Sequence, residues 1–218
     1  MTPRRTGSVA ARVLRQLLHD HRTIGLLLVV PPVLMTLLRG VYDGNPRVYQ
    51  GVAPALLAIF PFTTLFLVTS VAMLRERMAG TLERLLTMPL GRLDLLVGYA
   101  IAFSLVALVQ TALTSAVAVV FLDVDVAAGI PALLAVALVD ALLGVALGLL
   151  VSAFANTEFQ AVQFLPATVL PQLLLCGLFA PREQMQPILA AAARVLPLTY
   201  AVSAVRSAAA PGAAAADV

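Results

Sequence analysis

The chain has 218 residues, of which 61% are hydrophobic and only 11% charged, and its mean hydropathy is +0.99. A soluble domain keeps about a quarter of its residues charged, so composition places the chain among membrane proteins. All fourteen basic residues are arginine; without a lysine no Walker A loop can form, and a net charge of +3 scattered over separate loops reads as topology signals rather than a nucleic-acid face.

Residues 1–22 place Val9, Val13, Leu14, Leu17 and Leu18 on one helical face, with Arg12, Arg15, His19 and Arg22 mostly off it. That pattern predicts an amphipathic helix lying along the membrane surface. A cleavable signal peptide is not expected, because the first apolar run starts near Thr23, contains Pro31-Pro32 and ends at Arg39. A bilayer core takes ~20 apolar residues in a helix, and five segments qualify. The first, 23–38, should be kinked or delayed in its first turns by Pro31-Pro32. The second, 51–74, is uncharged, and the third, 95–122, is longer than needed. The fourth, 126–156, holds Asp140 as its one charge, and the fifth, 159–180, is interrupted by Pro166 and Pro171. Alternating strands of barrel type are absent, so the expected fold is an all-α membrane protein. Gly144 and Gly148 form a GxxxG pair that permits close helix approach. The lone Cys176 sits in an apolar run and reads as a small packed residue.

Between the second and third spans runs RERMAGTLERLLTMPLGRLDLL, Arg75 to Leu96, ended as a helix by Pro89 and Gly91. Arginines concentrate here and in the N-terminal segment, whereas the loop after the third span carries Asp123 and Asp125. The positive-inside rule therefore puts the N-terminus and this loop in the cytoplasm. Met78, Leu82, Leu85 and Leu86 give the loop helix an apolar face, and Glu76, Glu83 and Arg84 offer charge-assisted bonds. Physics alone leaves open whether that face meets a protein or the lipid headgroups.

Past the fifth span, Met185, Ile188, Leu189, Ala192 and Leu196 recur at helical spacing up to Pro197, and a second short helical pattern covers Thr199 to Arg206. Residues 182–206 thus read as interfacial or re-entrant helices. Asp140 is an intramembrane carboxylate and a functional candidate by default, although the length of its apolar run also allows a position near the outer interface. Gln160 and Gln163, one turn apart, suit interhelical hydrogen bonding or the lining of a polar path. His19-Asp20-His21 is too sparse for a metal site.

Three runs in order, RERMAGTLERLLTMPLGRLDLLVGY (75–99), TEFQAVQFLPATVLPQLLLCGLFAPREQM (157–185) and LPLTYAVSAVR (196–206), resemble the ABC-2 type transporter permeases, closest to bacterial drug-resistance permeases of the daunorubicin-exporter kind. The resemblance implies a permease in the bacterial inner membrane that works as a dimer and pairs with a separate ABC ATPase. ATP and Mg would be bound by that partner, with no cofactor or catalytic site in this chain and no nucleic acid involved. It implies an elbow helix over 1–22 and a coupling helix over 76–88, with Glu76, Arg77, Gly80, Thr81, Leu82, Glu83 and Arg84 at the ATPase. It also implies short re-entrant helices over 182–206, and a sixth span that this sequence does not carry after Arg206. Asp140, Gln160 and Gln163 are then candidates for a translocation path for a drug, antibiotic or lipid-like substrate. Two rival readings stand beside it: a secondary transporter driven by protons through Asp140, and a membrane scaffold that docks a cytoplasmic partner and moves nothing.

Overall fold

A computed structural model describes residues 2–87, 91–124 and 129–209, and among these all regular elements are helical. Met88 and Pro89, which were to end the coupling helix, and Asp125 and Val126 lie outside the described residues, as do the side chains of Leu82, Glu83, Leu86 and Arg92.

Helix α1 (Pro3–His19) buries Thr6, Val9, Ala10, Val13 and Leu17, one stripe along its length. Leu18, assigned to that stripe from the sequence, is exposed instead, because the stripe follows i, i+4 and i+8 from Val9 and leaves Leu18 on the far side. Asp20 then caps α2 (His21–Val41), accepting from the Thr23 amide at 3.1 Å and the Thr23 hydroxyl at 2.6 Å. These bonds hold the Asp20 carboxyl below the usual aspartate range. Helix α2 starts ahead of Pro31-Pro32 and continues through both, so the delayed start does not occur. In a membrane bundle neighbouring helices and side chains compensate the lost backbone bonds, and the Thr36 hydroxyl donates to the Pro32 carbonyl at 2.9 Å.

Helix α3 (Pro46–Met78) has 33 residues, about 50 Å at 1.5 Å each, against a hydrocarbon core of ~30 Å. It does not stop at Leu74: Arg75, Glu76 and Arg77 form its last turn. The helix ends where Gly80 turns left-handed at φ +67°, a conformation glycine adopts without steric cost. The short helix α4 (Thr81–Thr87) follows. The predicted coupling helix over 76–88 is therefore two pieces, with the break at Ala79-Gly80.

Helix α5 (Arg92–Phe121) opens with the Gly91 amide donating to Asp94 Oδ2 at 3.1 Å, one half of a capping box. Helix α6 (Ile130–Ser152) has a proline in its first turn, Pro131. Gly144 faces the backbone of Phe62, and Gly148 that of Phe66; the paired numbers rise together, so α3 and α6 run parallel at close approach, with α5 running the other way.

By length and composition, α2, α3, α5 and α6 can each cross a membrane. Helix α7 (Glu158–Leu175) is not among them: it carries Glu158, Gln160, Gln163 and Gln172, and it ends short of the predicted 180, just before Gly177 at φ +87°. After a 3-10 turn (Arg182–Gln184), α8 (Pro187–Ala193) and α9 (Pro197–Ala209) meet at 81°, as a broken span or a re-entrant loop. Pro197 opens α9 rather than closing the helix before it, as suits a residue with no amide hydrogen to lose. Helix α9 packs into the bundle: Leu198, Thr199, Ala201, Val202 and Val205 are buried, and its neighbours are α3, α6 and α7.

The apolar interior falls into two main clusters. One joins α9 and Cys176 to the first half of α3. The other joins α1 and Leu85 of α4 to the first half of α5 and to Ala141 and Val145 of α6. The second cluster carries the charged end of the bundle.

Candidate functional site

The last turn of α3 distributes three charged residues to three neighbours. Glu76, 5% exposed, receives the Arg12 guanidinium of α1 at 3.3 Å. The same Arg12 Nη2 donates to the Tyr99 hydroxyl of α5 at 3.1 Å, so one guanidinium ties α1 to both α3 and α5. Arg75 grips Glu158 of α7 with two parallel bonds, at 2.8 and 2.9 Å, the fork-to-fork geometry that orients as well as attracts. That pairing holds the Glu158 carboxyl below its usual range. Arg77 donates to the Ser152 carbonyl at the end of α6, where the C-terminal carbonyls of a helix attract cations.

On the other side of α4, Asp94 gathers three donors. The Thr6 hydroxyl reaches it at 3.0 Å, the Thr2 amide at 3.2 Å and the Gly91 amide at 3.1 Å. Beneath these bonds α1 and α5 touch so closely that a Cβ on Gly98 would lie 2.6 Å from Val9 Cγ1. Helix α4 is thus hung between two fixed ends, the Gly80 turn after α3 and the start of α5. Leu85 anchors it at 8% exposure, while Arg84 is exposed and Thr81 half-buried.

The seven residues predicted for partner contact separate into two groups. Glu76 and Arg77 are bound inward, to α1 and α6, and Gly80 supplies the break. Thr81, Leu82, Glu83 and Arg84 belong to α4, with Arg84 facing outward. Arg12, Tyr99, Asp94 and Glu158 were not singled out from the sequence as site residues. Asp94 carried a readable signal, an acid three residues into a helix after Gly91; the others pair across 64 to 87 positions and leave no local trace.

Asp140, Gln160 and Gln163 do not come together. Asp140 is close to the midpoint of α6 at 1% exposure, and among the described residues neither of its carboxyl oxygens has a hydrogen-bond partner. Gln160 is in the first turn of α7, accepting from the Asn156 amide at 2.8 Å, and Gln163 is one turn on; both are exposed. Asp140 is twelve residues from the end of α6 that adjoins them, about 18 Å along the axis.

Taken together, these features define a polytopic helical membrane protein with an amphipathic first helix packed on α5 and a short charged helix braced between two spans. The chain belongs to the ABC-2 type transporter family, whose model matches residues 4–209. It is 29% identical over 147 residues to the probable multidrug ABC transporter permease YbhR of Escherichia coli K12, a match covering 67% of this chain and 40% of that protein. Escherichia coli YbhS, also a probable multidrug ABC transporter permease, is 28% identical over 65% of this chain and 38% of its own length. ABC transporter G family member 20 of Dictyostelium discoideum is 25% identical over 75% of this chain and 23% of its own. The chain therefore spans well under half the length of these relatives.

Proposed function

We propose that the chain is the membrane-spanning permease subunit of an ATP-driven exporter, with α4 as the helix that a separate ABC ATPase holds. The observation that carries this reading is the mounting of α4: an exposed Arg84 on a short helix whose two ends are fixed to α1, α3, α5, α6 and α7 by Glu76, Arg75, Arg77 and Asp94. A helix held this way transmits a push to the spans instead of deforming. The protein works as a pair of permeases with two ATPases, its N-terminus and α4 lie in the cytoplasm of a bacterial cell, and its cargo is a drug, antibiotic or lipid-like molecule. ATP and Mg are bound by the partner, whose closure biases two populations of helix arrangement.

Reversing the charges of α4 tests it. With Glu83→Arg or Arg84→Glu, export in inverted vesicles should fall about tenfold or more, the loss of one to two charge-assisted bonds, while membrane level and melting stay at wild type. Unchanged export at normal expression would remove α4 from the coupling path.

A proton-driven transporter keeps one observation in its favour, the unpartnered Asp140 near the midpoint of α6. Under the ATP-driven reading, collapse of the proton gradient leaves export intact and Asp140→Asn changes it little. Loss of export in both experiments would favour the rival.

A further inference from the structure

A cleft opens between α2 and α3 at the α1 end of the bundle. It holds about 340 Å³, at the lower limit of the ~300–1,000 Å³ typical of small-molecule sites. Its walls are Leu26 and Val30 of α2 and Leu67, Val68 and Val71 of α3. The cleft exists because α2 stands away from the bundle, burying only Leu27, Pro31 and Met35 over its 21 residues. Leu26, 64% exposed, forms part of the rim, so the opening faces the surrounding membrane.

Its two ends differ. Asp20 and Arg75 line one end, and Thr64, whose hydroxyl accepts from the Gln110 amide, lines the other. From Thr64 to Arg75 is eleven residues of α3, about 16 Å of helix, and that is half of a ~30 Å hydrocarbon core. The apolar part therefore has the depth of one leaflet, with a carboxylate and a guanidinium where that leaflet's headgroups lie. Arg75 uses Nε and Nη2 for Glu158, and Nη1 takes no part in that pair. Asp20 remains ionised, and with two donors from Thr23 its oxygens keep acceptor capacity.

We infer that this cleft is a binding site for a single ethanolamine phospholipid of the leaflet along which α1 lies. One acyl chain fills the space between α2 and α3, the phosphate meets Arg75, and the ammonium donates to Asp20. The opposite charges at this end match a zwitterion. The need for N–H donors toward Asp20 selects ethanolamine over choline, which has none, and Asp20 repels a purely anionic headgroup. The site depends on membrane insertion alone, not on the transport reading.

Native mass spectrometry of the purified chain in detergent, with added phospholipids of identical acyl chains, tests the site. The ethanolamine lipid should be retained one to one, about tenfold over the choline and glycerol lipids, the worth of one charge-assisted hydrogen bond. Asp20→Asn keeps the helix cap and should bring ethanolamine down to the level of choline. Val68→Trp should abolish retention by filling the cleft, and Val29→Trp, on an exposed position of α2, should not. Should Val68→Trp fail to fold, Leu26→Trp at the rim takes its place. Equal retention of all three lipids, retention unaffected by either cleft-filling variant, or one-to-one retention of dodecyltrimethylammonium in place of the ethanolamine lipid would each overturn the proposal.

Discussion

Replacing Glu76 with alanine should lower unfolding stability by about 2–3 kcal/mol and release α1 from the bundle. Removing one member of a fully buried ion pair costs ~3–5 kcal/mol, because the other charge is left without compensation. Here Glu76 is 5% exposed and Arg12 33%, so water reaches one side of the pair and reduces the loss. Arg12→Ala should cost a similar amount, since Glu76 is the more buried partner and would be left with no cation. Arg12→Lys should recover only part: a single ammonium cannot spread over Glu76 and the Tyr99 hydroxyl as a guanidinium does. Melting of the four species of a double-mutant cycle isolates the coupling. Under the proposed function, export should fall with it, because α1 is one of the supports of α4. A Glu76→Ala protein that melts and exports like wild type would show that Val9, Val13 and Leu17 hold α1 without the ion pair.

Much of this arrangement is legible in the sequence, and the exceptions have physical causes. The amphipathic first helix, the all-helical fold and the short charged helix after span two follow from periodicity and charge. The boundary of span two does not. Arg75, Glu76 and Arg77 read as the point where the chain leaves the membrane, and by charge they are; but hydropathy reports the solvent of a residue, not its backbone, and α3 continues until Gly80 turns left-handed. Glu76 illustrates the consequence. An acid in a loop helix suggests a partner outside, whereas one in the last turn of a long helix finds Arg12 within the same chain, 64 positions away. Pro197 misled in the opposite sense, read as the stop of a helix. Pro131, Pro187 and Pro197 each occupy a first helical turn, where a missing amide costs nothing. Had Pro131 been taken as a start, Asp140 would have been placed near the middle of its helix without coordinates. The depth of α9 in the bundle rests on distant contacts with α3 and α6 and has no local signature.

Gly144→Leu should be the most damaging single substitution in the membrane interior, and Gly144→Ala should already be severe. A Cβ built on Gly144 lies 2.4 Å from the Phe62 carbonyl oxygen, and one on Gly148 lies 2.6 Å from that of Phe66. Both obstacles are backbone, and α3 has little room to move with Phe62, Leu65 and Phe66 fully buried. Overpacking a close-packed interior costs ~1–3 kcal/mol where side chains can adjust; here they cannot, so Gly144→Ala should lose at least about 3 kcal/mol and Gly144→Leu should not accumulate in the membrane. Ala146→Leu, on the exposed side of the same helix, supplies the control and should melt like wild type. Gly144→Ala with wild-type melting would mean that α6 does not pack on α3 in this register. The same glycines govern Asp140, which precedes Gly144 by four residues and shares its face. The close approach that they permit keeps its carboxyl at 1% exposure, so a side chain at Gly144 that pushes α6 outward should also admit water to Asp140. A carbodiimide should then modify Asp140 faster in folded Gly144→Ala than in Ala146→Leu, and equal rates would separate the burial of Asp140 from the glycine contact.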